Sequence, residues 1–387
     1  MTAERPGHAV IVDLPRGHED DAPELRGLAA LAARMLADPG RPGAARLAAE
    51  RGWRTRHQLE ARASSFFAFW SVDDDVREAG AALAAGARRW TEADLERLAR
   101  SRAAQRVLAG QRAGQVLTQL NQASHQAAWG WTPPSPLGGA ETIENLSGEV
   151  VREELARLGS ALRVHSAPRY GGSPGPGPDG PALPAAVPQA PTAADDRRWR
   201  GGVVHVRTTA ESARLSVRLP CHSDRPGALE VLVEVLGSGP EGRLHRALRG
   251  ERGIAYGFSA GHWSQDSTNS VAATAFVRAP DVADSVRILL DAVGGLLGSP
   301  PGEREFEAAR QRCLARLLTS LDDPFAAADE VRRAARGQTP IDELVRSVSA
   351  LTSPDGLRAV SGLRPAVAVV GPDPCGRAVE EALGSHT

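Results

Sequence analysis

Residues 168–191 carry eight prolines interleaved with glycines, in the run PRYGGSPGPGPDGPALPAAVPQAP. Proline fixes its own φ and has no backbone N–H to donate, so neither a helix nor a central strand can pass through such a run. Residues 166–200 therefore read as a Pro/Gly-rich linker. It separates a half of residues 1–165 from a half of residues 201–387, each long enough to bury a core of its own.

Hydrophobic residues make up 42% and charged residues 24% of the chain, the balance of a globular protein. All 46 basic residues are arginine, against 47 acidic ones, and a formal net charge of −1 gives no global field for nucleic acid or an acidic membrane. An arginine-only composition rich in Ala, Gly and Pro is what a GC-rich genome produces, so a single arginine carries little information. Residues 1–10 show no basic stretch followed by an apolar one, and no run approaches the roughly 20 apolar residues of a membrane span. A cytoplasmic protein without membrane or nucleic-acid partners is expected. Cys221, Cys313 and Cys375 are widely spaced and form no C-x-x-C, which suggests neither a disulfide framework nor a thiolate zinc site. Cys313, among Phe306, Leu314 and Leu317, reads as a small core residue.

The carboxy-terminal half is the more legible. Residues 203–207 and the run SARLSVRLP read as strands; in the second, Ala213, Leu215, Val217 and Leu219 alternate with Arg214, Ser216 and Arg218, the pattern of a half-buried strand. PGALEVLVEVLGSG reads as a helix stopping at Gly237, PEGRLHRALRG as a short helix stopping at Gly250, and SVAATAFVRA as a further strand. Val282, Val286, Leu289, Leu290, Val293 and Leu297 mark one face of a long helix, and a second follows over 303–321. A helix near Asp355 and the strand AVAVVGP close the half.

The amino-terminal half repeats this grammar: strand HAVIVDL, helix ELRGLAALAARMLAD, a strand around ASSFFAFWSV, helices over 76–88 and 92–120, and a closing strand near LRVHS. Its ending, NLSGEVVREELARLGSALRVHSAP, has the same order of helix, turn and strand as ALTSPDGLRAVSGLRPAVAVVGPD. A strand-helix mixture repeated at a spacing of about 190 residues predicts a duplicated α/β unit.

Three stretches of the second half, ALEVLVEVLGSGPEGRLHRALRGERGIAYGFSA, EREFEAARQRCLARLLTSLDDPFAAA and LTSPDGLRAVSGLRPAVAVVGPD, resemble in order and spacing the corresponding half of the insulinase-like metallopeptidases, the group of pitrilysin and the mitochondrial processing peptidase. In the first half, GGAETIENLSGEVVREEL and RGHEDDAPELRGLAALAARML resemble two further segments of that family. The resemblance implies an α+β fold of two related α/β halves, each a mostly antiparallel sheet with helices packed on it. It also implies a chain that starts at the family's second strand and has lost a helix near the linker.

Active members of the family carry H-x-x-E-H on the helix matched here by Ala30, Leu31, Ala32, Ala33 and Arg34. Both imidazoles are missing, Ala33 cannot activate a water, and a guanidinium repels a cation. The family's third ligand, a glutamate, falls in LARSRAAQRVL, which has no carboxylate and places Ser101 near that point. The resemblance thus implies a degenerate metallopeptidase half with no catalytic residue and no metal in this chain. Elsewhere His57 and Glu60 form an H-x-x-E without a second histidine, and His18, Glu19 and Asp20 sit together in a loop-like run; both read as structural or surface groups.

In the family, the half opposite the zinc supplies an arginine and a tyrosine that hold the substrate. Arg249 and Tyr256 match them, with Gly250 and Gly253 between to let the chain turn. Gly237, Gly239 and Gly242 resemble the substrate-contacting glycine-rich loop of the family's non-catalytic subunits; a phosphate loop would need a lysine and a preceding strand. His262 and Trp263 follow on the same strand, with Trp263 reading equally as chamber lining or core. A guanidinium and a phenol are fixed donors for peptide carbonyls and for developing oxyanion charge. The implied function is the zinc-less, substrate-binding subunit of a heterodimeric metalloendopeptidase. Zinc would sit in a sister subunit, the substrate would be an extended peptide, and leader removal from a ribosomally made peptide is the analogy's suggestion. The alternative is a structural scaffold that touches no peptide. No nucleophile or cofactor motif supports an independent enzyme.

Overall fold

The computed structural model describes residues 8–14, 16–59, 65–167, 198–223, 225–237, 241–250, 252–265, 268–320, 322–335, 339–354, 358–359 and 362–384. The whole proline-rich run of residues 168–191, Glu60, Gly239 and the helix expected at Asp355 lie outside these residues. The chain forms two compact units, one of residues 1–113, 134–188 and 319–340, the other of residues 114–133, 189–318 and 341–387. Neither unit is a contiguous stretch, because each takes in a segment from the other half of the sequence.

In chain order the first unit opens with β1 (His8–Asp13), α1 (Leu28–Leu36), α2 (Ala44–Arg51), β2 (Arg54–Gln58), β3 (Phe66–Ser71), α3 (Ala79–Arg88) and α4 (Ala93–Ala113). Next comes α5 (Val116–Trp129), in the second unit, before α6 (Ala140–Asn145), α7 (Gly148–Ala161) and β4 (Arg163–Ala167) return to the first. The second unit continues with β5 (Gly202–Arg207), β6 (Ser212–His222), α8 (Pro226–Gly237) and α9 (Arg243–His245), which runs on into a π-helical turn, Arg246–Gly250. Then follow β7 (Ala255–Gln265), β8 (Thr268–Arg278), α10 (Val282–Gly298) and α11 (Glu303–Ser320). The first unit takes α12 (Pro324–Ala335), and the second ends with α13 (Ile341–Ser349), β9 (Arg358–Ala359), β10 (Ala366–Gly371) and α14 (Pro374–Gly384). Among the described residues no helix is long and apolar enough to cross a membrane.

The first sheet has the order β2-β3-β1-β4 and the second β5-β10-β6-β8-β7, with β9 beside β6. Reading β4, β1, β3, β2 against β10, β6, β8, β7 gives the same neighbours, and every one of these pairs is antiparallel in both units. The duplicated, mostly antiparallel α+β fold is therefore present strand for strand. β5, parallel to β10, and the two-residue β9 beside β6 have no counterpart among the described residues of the first unit.

The order of helices repeats as well, so that α1 corresponds to α8, α3 to α10, α4 to α11 and α5 to α12. The two exchanged segments carry the counterparts α5 and α12. Alternation along β1 and β3 sends Val10, Val12, Phe67 and Phe69 into a core with α1, α3 and α7, and Ala9, Ile11, Phe66 and Ala68 to the other face, where Phe325 and Ala328 of α12 cover them. In the second unit Leu215, Val217 and Val271 face α8 and α10, while Leu120 and Ala123 of α5 cover Ala368 and Val370 on the other side. Each sheet is thus buried on both faces where these helices lie.

Three local expectations change. The helix read over 24–38 begins only at Leu28: Gly27 has φ 98°, and a Cβ there would collide with the Leu137 carbonyl oxygen. Asp21 ties down this start, its carboxylate accepting from the N–H groups of Gly27 at 3.0 Å and Ala29 at 3.2 Å. The single helix expected over 92–120 is two, broken at residues 114–115, because α4 buries Leu98 in the first core whereas α5 serves the second sheet. The strand read as half-buried, β6, also buries Ser216 and Arg218, since α5 lies over that face and Ser124 Oγ stands 3.0 Å from Ser216 Oγ.

Candidate functional site

The π-helical turn ends at Gly250, and the Ile254 N–H donates to the Leu248 carbonyl at 2.9 Å, closing a tight loop in which Gly253 takes φ 64°. That loop returns the chain to β7 beside Arg249. Arg249 Nη2 donates to the main-chain carbonyl of Tyr256 at 2.8 Å, and its guanidinium carbon lies 5.8 Å from the Phe258 ring centroid. Tyr256 occupies a β-bulge: Ala255 pairs with Val277 and Gly257 with Phe276, leaving Tyr256 as the extra residue. The bulge turns its ring outward against Phe276, with centroids 5.1 Å apart, and leaves the side chain 58% exposed. The two residues expected to act together are therefore adjacent, on rigid elements, with the phenol presented to solvent.

Of the three loop glycines, Gly237 closes α8 and Gly242 precedes α9 in extended conformation, while Gly239 lies outside the described residues. A Cβ on Gly237 would stand 2.7 Å from Ala260 Cβ and 3.1 Å from its nitrogen, so the glycine lets α8 end directly on β7. Along β7, His262 Nε2 comes within 4.0 Å of Glu230 on α8, whereas Trp263 lies on the opposite face over the Arg218 guanidinium at 4.6 Å. Trp263 is thus both partly exposed and a packing partner. Arg218 itself escaped the sequence reading, because an arginine alternating with apolar residues signals a solvent face. It is 1% exposed, and burial pushes its guanidinium down to about 10. Cys313 is fully buried and its thiol is pushed up to about 12 by desolvation, as a core residue requires.

In the first unit the positions matched to the metal motif converge. Ala30, Ala33 and Arg34 of α1 line one pocket of about 770 Å³ with Ser101 of α4, the residue read at the place of the third ligand. A guanidinium has no lone pair to give a metal, and two alanines and a serine complete the set, so these residues do not fit a zinc ion. Among the described residues no three His, Cys, Asp or Glu side chains are grouped to hold a metal. His57 of β2 lines the same pocket, exposed at the strand surface but with its ring stacked on Phe67 at 5.6 Å; partial desolvation of the ring first, and the Arg34 charge second, hold its imidazole below the ordinary 6.5.

Residues 171–313 match the family model described as the peptidase M16 inactive domain. Over the whole fold the chain is similar to a chain of complex III2 from Candida albicans with Inz-5 bound, with a TM-score of 0.71, 14% identity, and coverage of 99% of this chain and 95% of that one. It is similar to a putative M16-like peptidase from Alicyclobacillus acidocaldarius, with a TM-score of 0.68, 14% identity and coverage of 96% and 94%. It is similar also to the peptidase M16 inactive domain from Pseudomonas fluorescens, with a TM-score of 0.64, 16% identity and coverage of 95% and 93%. No curated protein matches the sequence. The match to the inactive-domain model is confined to residues 171–313, and the likeness of the whole chain to the M16-like structures is one of fold.

Proposed function

We propose that the chain is the zinc-less, peptide-holding subunit of a two-chain M16 metalloendopeptidase, cytoplasmic and paired with a sister subunit that carries the zinc. The observation that carries this reading is the Arg249 and Tyr256 pair: a bulge and a hydrogen-bonded turn hold both donors in place, although nothing in the core requires either side chain. The remaining N–H groups of Arg249 make no hydrogen bond with the described residues, which leaves them for peptide carbonyls. The substrate class is an extended peptide, with leader removal from a ribosomally made peptide as the specific role. Co-expression with an H-x-x-E-H sister is the test. The reading expects a one-to-one complex that cleaves peptide, with zinc in the sister alone; separate elution of the two chains, or zinc held by this chain through dialysis, would overturn it.

The second reading, a scaffold without peptide contact, is favoured by the likeness to a chain of complex III2. It expects assembly without dependence of turnover on Arg249 or Tyr256.

A further inference from the structure

The pocket at the degenerate motif is lined by four arginines, Arg34, Arg97, Arg100 and Arg112, against one carboxylate, Asp38. Arg97 is compensated: it pairs with Asp94 at 3.3 Å, lies 3.8 Å from Asp38 and donates to the Gly40 carbonyl at 2.8 Å. Arg100 has Glu96 at 3.9 Å in solvent. Arg34 is different, being half-buried and without an ion pair or hydrogen bond among the described residues. A guanidinium withdrawn from water without a counter-charge is costly, and an incoming anion offsets that cost.

We propose that this pocket is a receptor for an acidic peptide side chain, with Arg34 as the group that pairs the carboxylate. Loss of the motif's side chains to Ala30 and Ala33 leaves room and an apolar wall beside the guanidinium, and about 770 Å³ accommodates more than a bare ion. A peptide is favoured over free phosphate by the neighbouring strand. β2 lies at the end of its sheet, every residue of it is exposed, and its His57 and Gln58 line the pocket. Unpaired main-chain groups along such an edge accept an extended chain, and a side chain of that chain then reaches Arg34. Gln105, fully buried on the pocket wall, uses its Nε2 on the Gly27 and Leu137 carbonyls and has no donor for Oε1 among the described residues, which suits a ligand that brings N–H groups as well as charge.

The site is independent of Arg249 and Tyr256, and its test uses this chain alone. A fluorescein-labelled, end-capped peptide with three consecutive glutamates is titrated by anisotropy at low salt beside the matched glutamine peptide. The expected result is binding of the acidic peptide at least about tenfold tighter than the amide one, weakening with salt, with a loss of about tenfold or more in Arg34→Ala, partial recovery in Arg34→Lys and no change in Arg207→Ala, which removes an exposed arginine outside both sites. Thermal melting of each variant checks that the unit remains folded. Equal binding of both peptides, or an unaltered Arg34→Ala, overturns the proposal. Displacement of the peptide by inorganic phosphate at equal affinity overturns it too, since the site would then recognise the bare anion.

Discussion

Arg218 lies face-on to Trp263, its guanidinium carbon 4.6 Å from the ring centroid, while Nε and Nη1 are buried without a hydrogen-bond partner among the described residues. A second indole, Trp129, stands 5.7 Å away. Cation–π attraction contributes about 2 kcal/mol when desolvated, whereas burying an unpaired ion costs several kcal/mol. Arg218→Met, which keeps the length of the side chain and discards the charge, is expected to stabilise the protein by about 1 to 2 kcal/mol. Chemical denaturation would show this as a higher midpoint at unchanged m-value. A lower midpoint would mean that the two indoles outweigh the desolvation.

Gly237 is the point where α8 meets β7. Adding a methyl group there puts Cβ 2.7 Å from that of Ala260 and 3.1 Å from its backbone nitrogen, and backbone yields little. Gly237→Ala is expected to cost about 1–3 kcal/mol through overpacking, while Gly257→Ala, where an added Cβ meets nothing within 4 Å, serves as the control. Equal urea midpoints for the two variants would refute the packing role.

His57 titrates below 6.5 first because its ring, stacked on Phe67, is partly withdrawn from water although β2 is exposed along its length, and next because of the Arg34 charge. An unfolded chain binds this proton more readily, so the associated stability is complete above about 6.5 and is lost as pH falls through the lower folded value. Arg34→Ala removes the second cause only. The imidazole should move up towards 6.5 without reaching it, measurable by NMR titration of His57, and the acid-side fall in melting temperature should become shallower. A downward or absent shift would place Arg34 away from the ring.

Much of this fold was legible because its strands and helices announce themselves locally: the alternation in β6 and the apolar stripe of α10 fix elements without any tertiary information. What alternation could not reveal was what lies on the second face. Arg214, Ser216 and Arg218 look like a solvent side until Ser124, ninety-two residues earlier, is found against Ser216. The exchange of α5 and α12 between units has the same origin, since amphipathic patterning says that a helix is covered and not by which sheet. For the site, Arg249 and Tyr256 were singled out by their resemblance to the family's arginine and tyrosine, while the bulge that aims Tyr256 depends on the register with β8. Convergence of Ala30, Ala33, Arg34 and Ser101 followed from the matched motif; the arginines around them were masked by a composition in which every basic residue is arginine.

Arg249 and Tyr256 separate the two functional readings most sharply. Arg249 is exposed and its one hydrogen bond among the described residues goes to a carbonyl that β7 holds in any case, so Arg249→Ala should leave folding and assembly intact. Tyr256→Phe keeps the contact with Phe276 and deletes only the hydroxyl. If these groups hold the scissile region opposite a partner's zinc, each variant should form a normal, zinc-loaded complex yet cleave more slowly. Loss of one preorganised donor in a water-poor site costs roughly 100-fold to 1,000-fold in rate. Contacts made equally in ground and transition states would appear in KM, and those made only in the transition state in kcat, so the split between the two parameters locates the role of each residue. A scaffold predicts no change in either parameter. Steady-state kinetics on the reconstituted pair therefore decides, and an Arg249→Ala/Tyr256→Phe double variant with unaltered kcat and KM would leave this chain as a structural partner only.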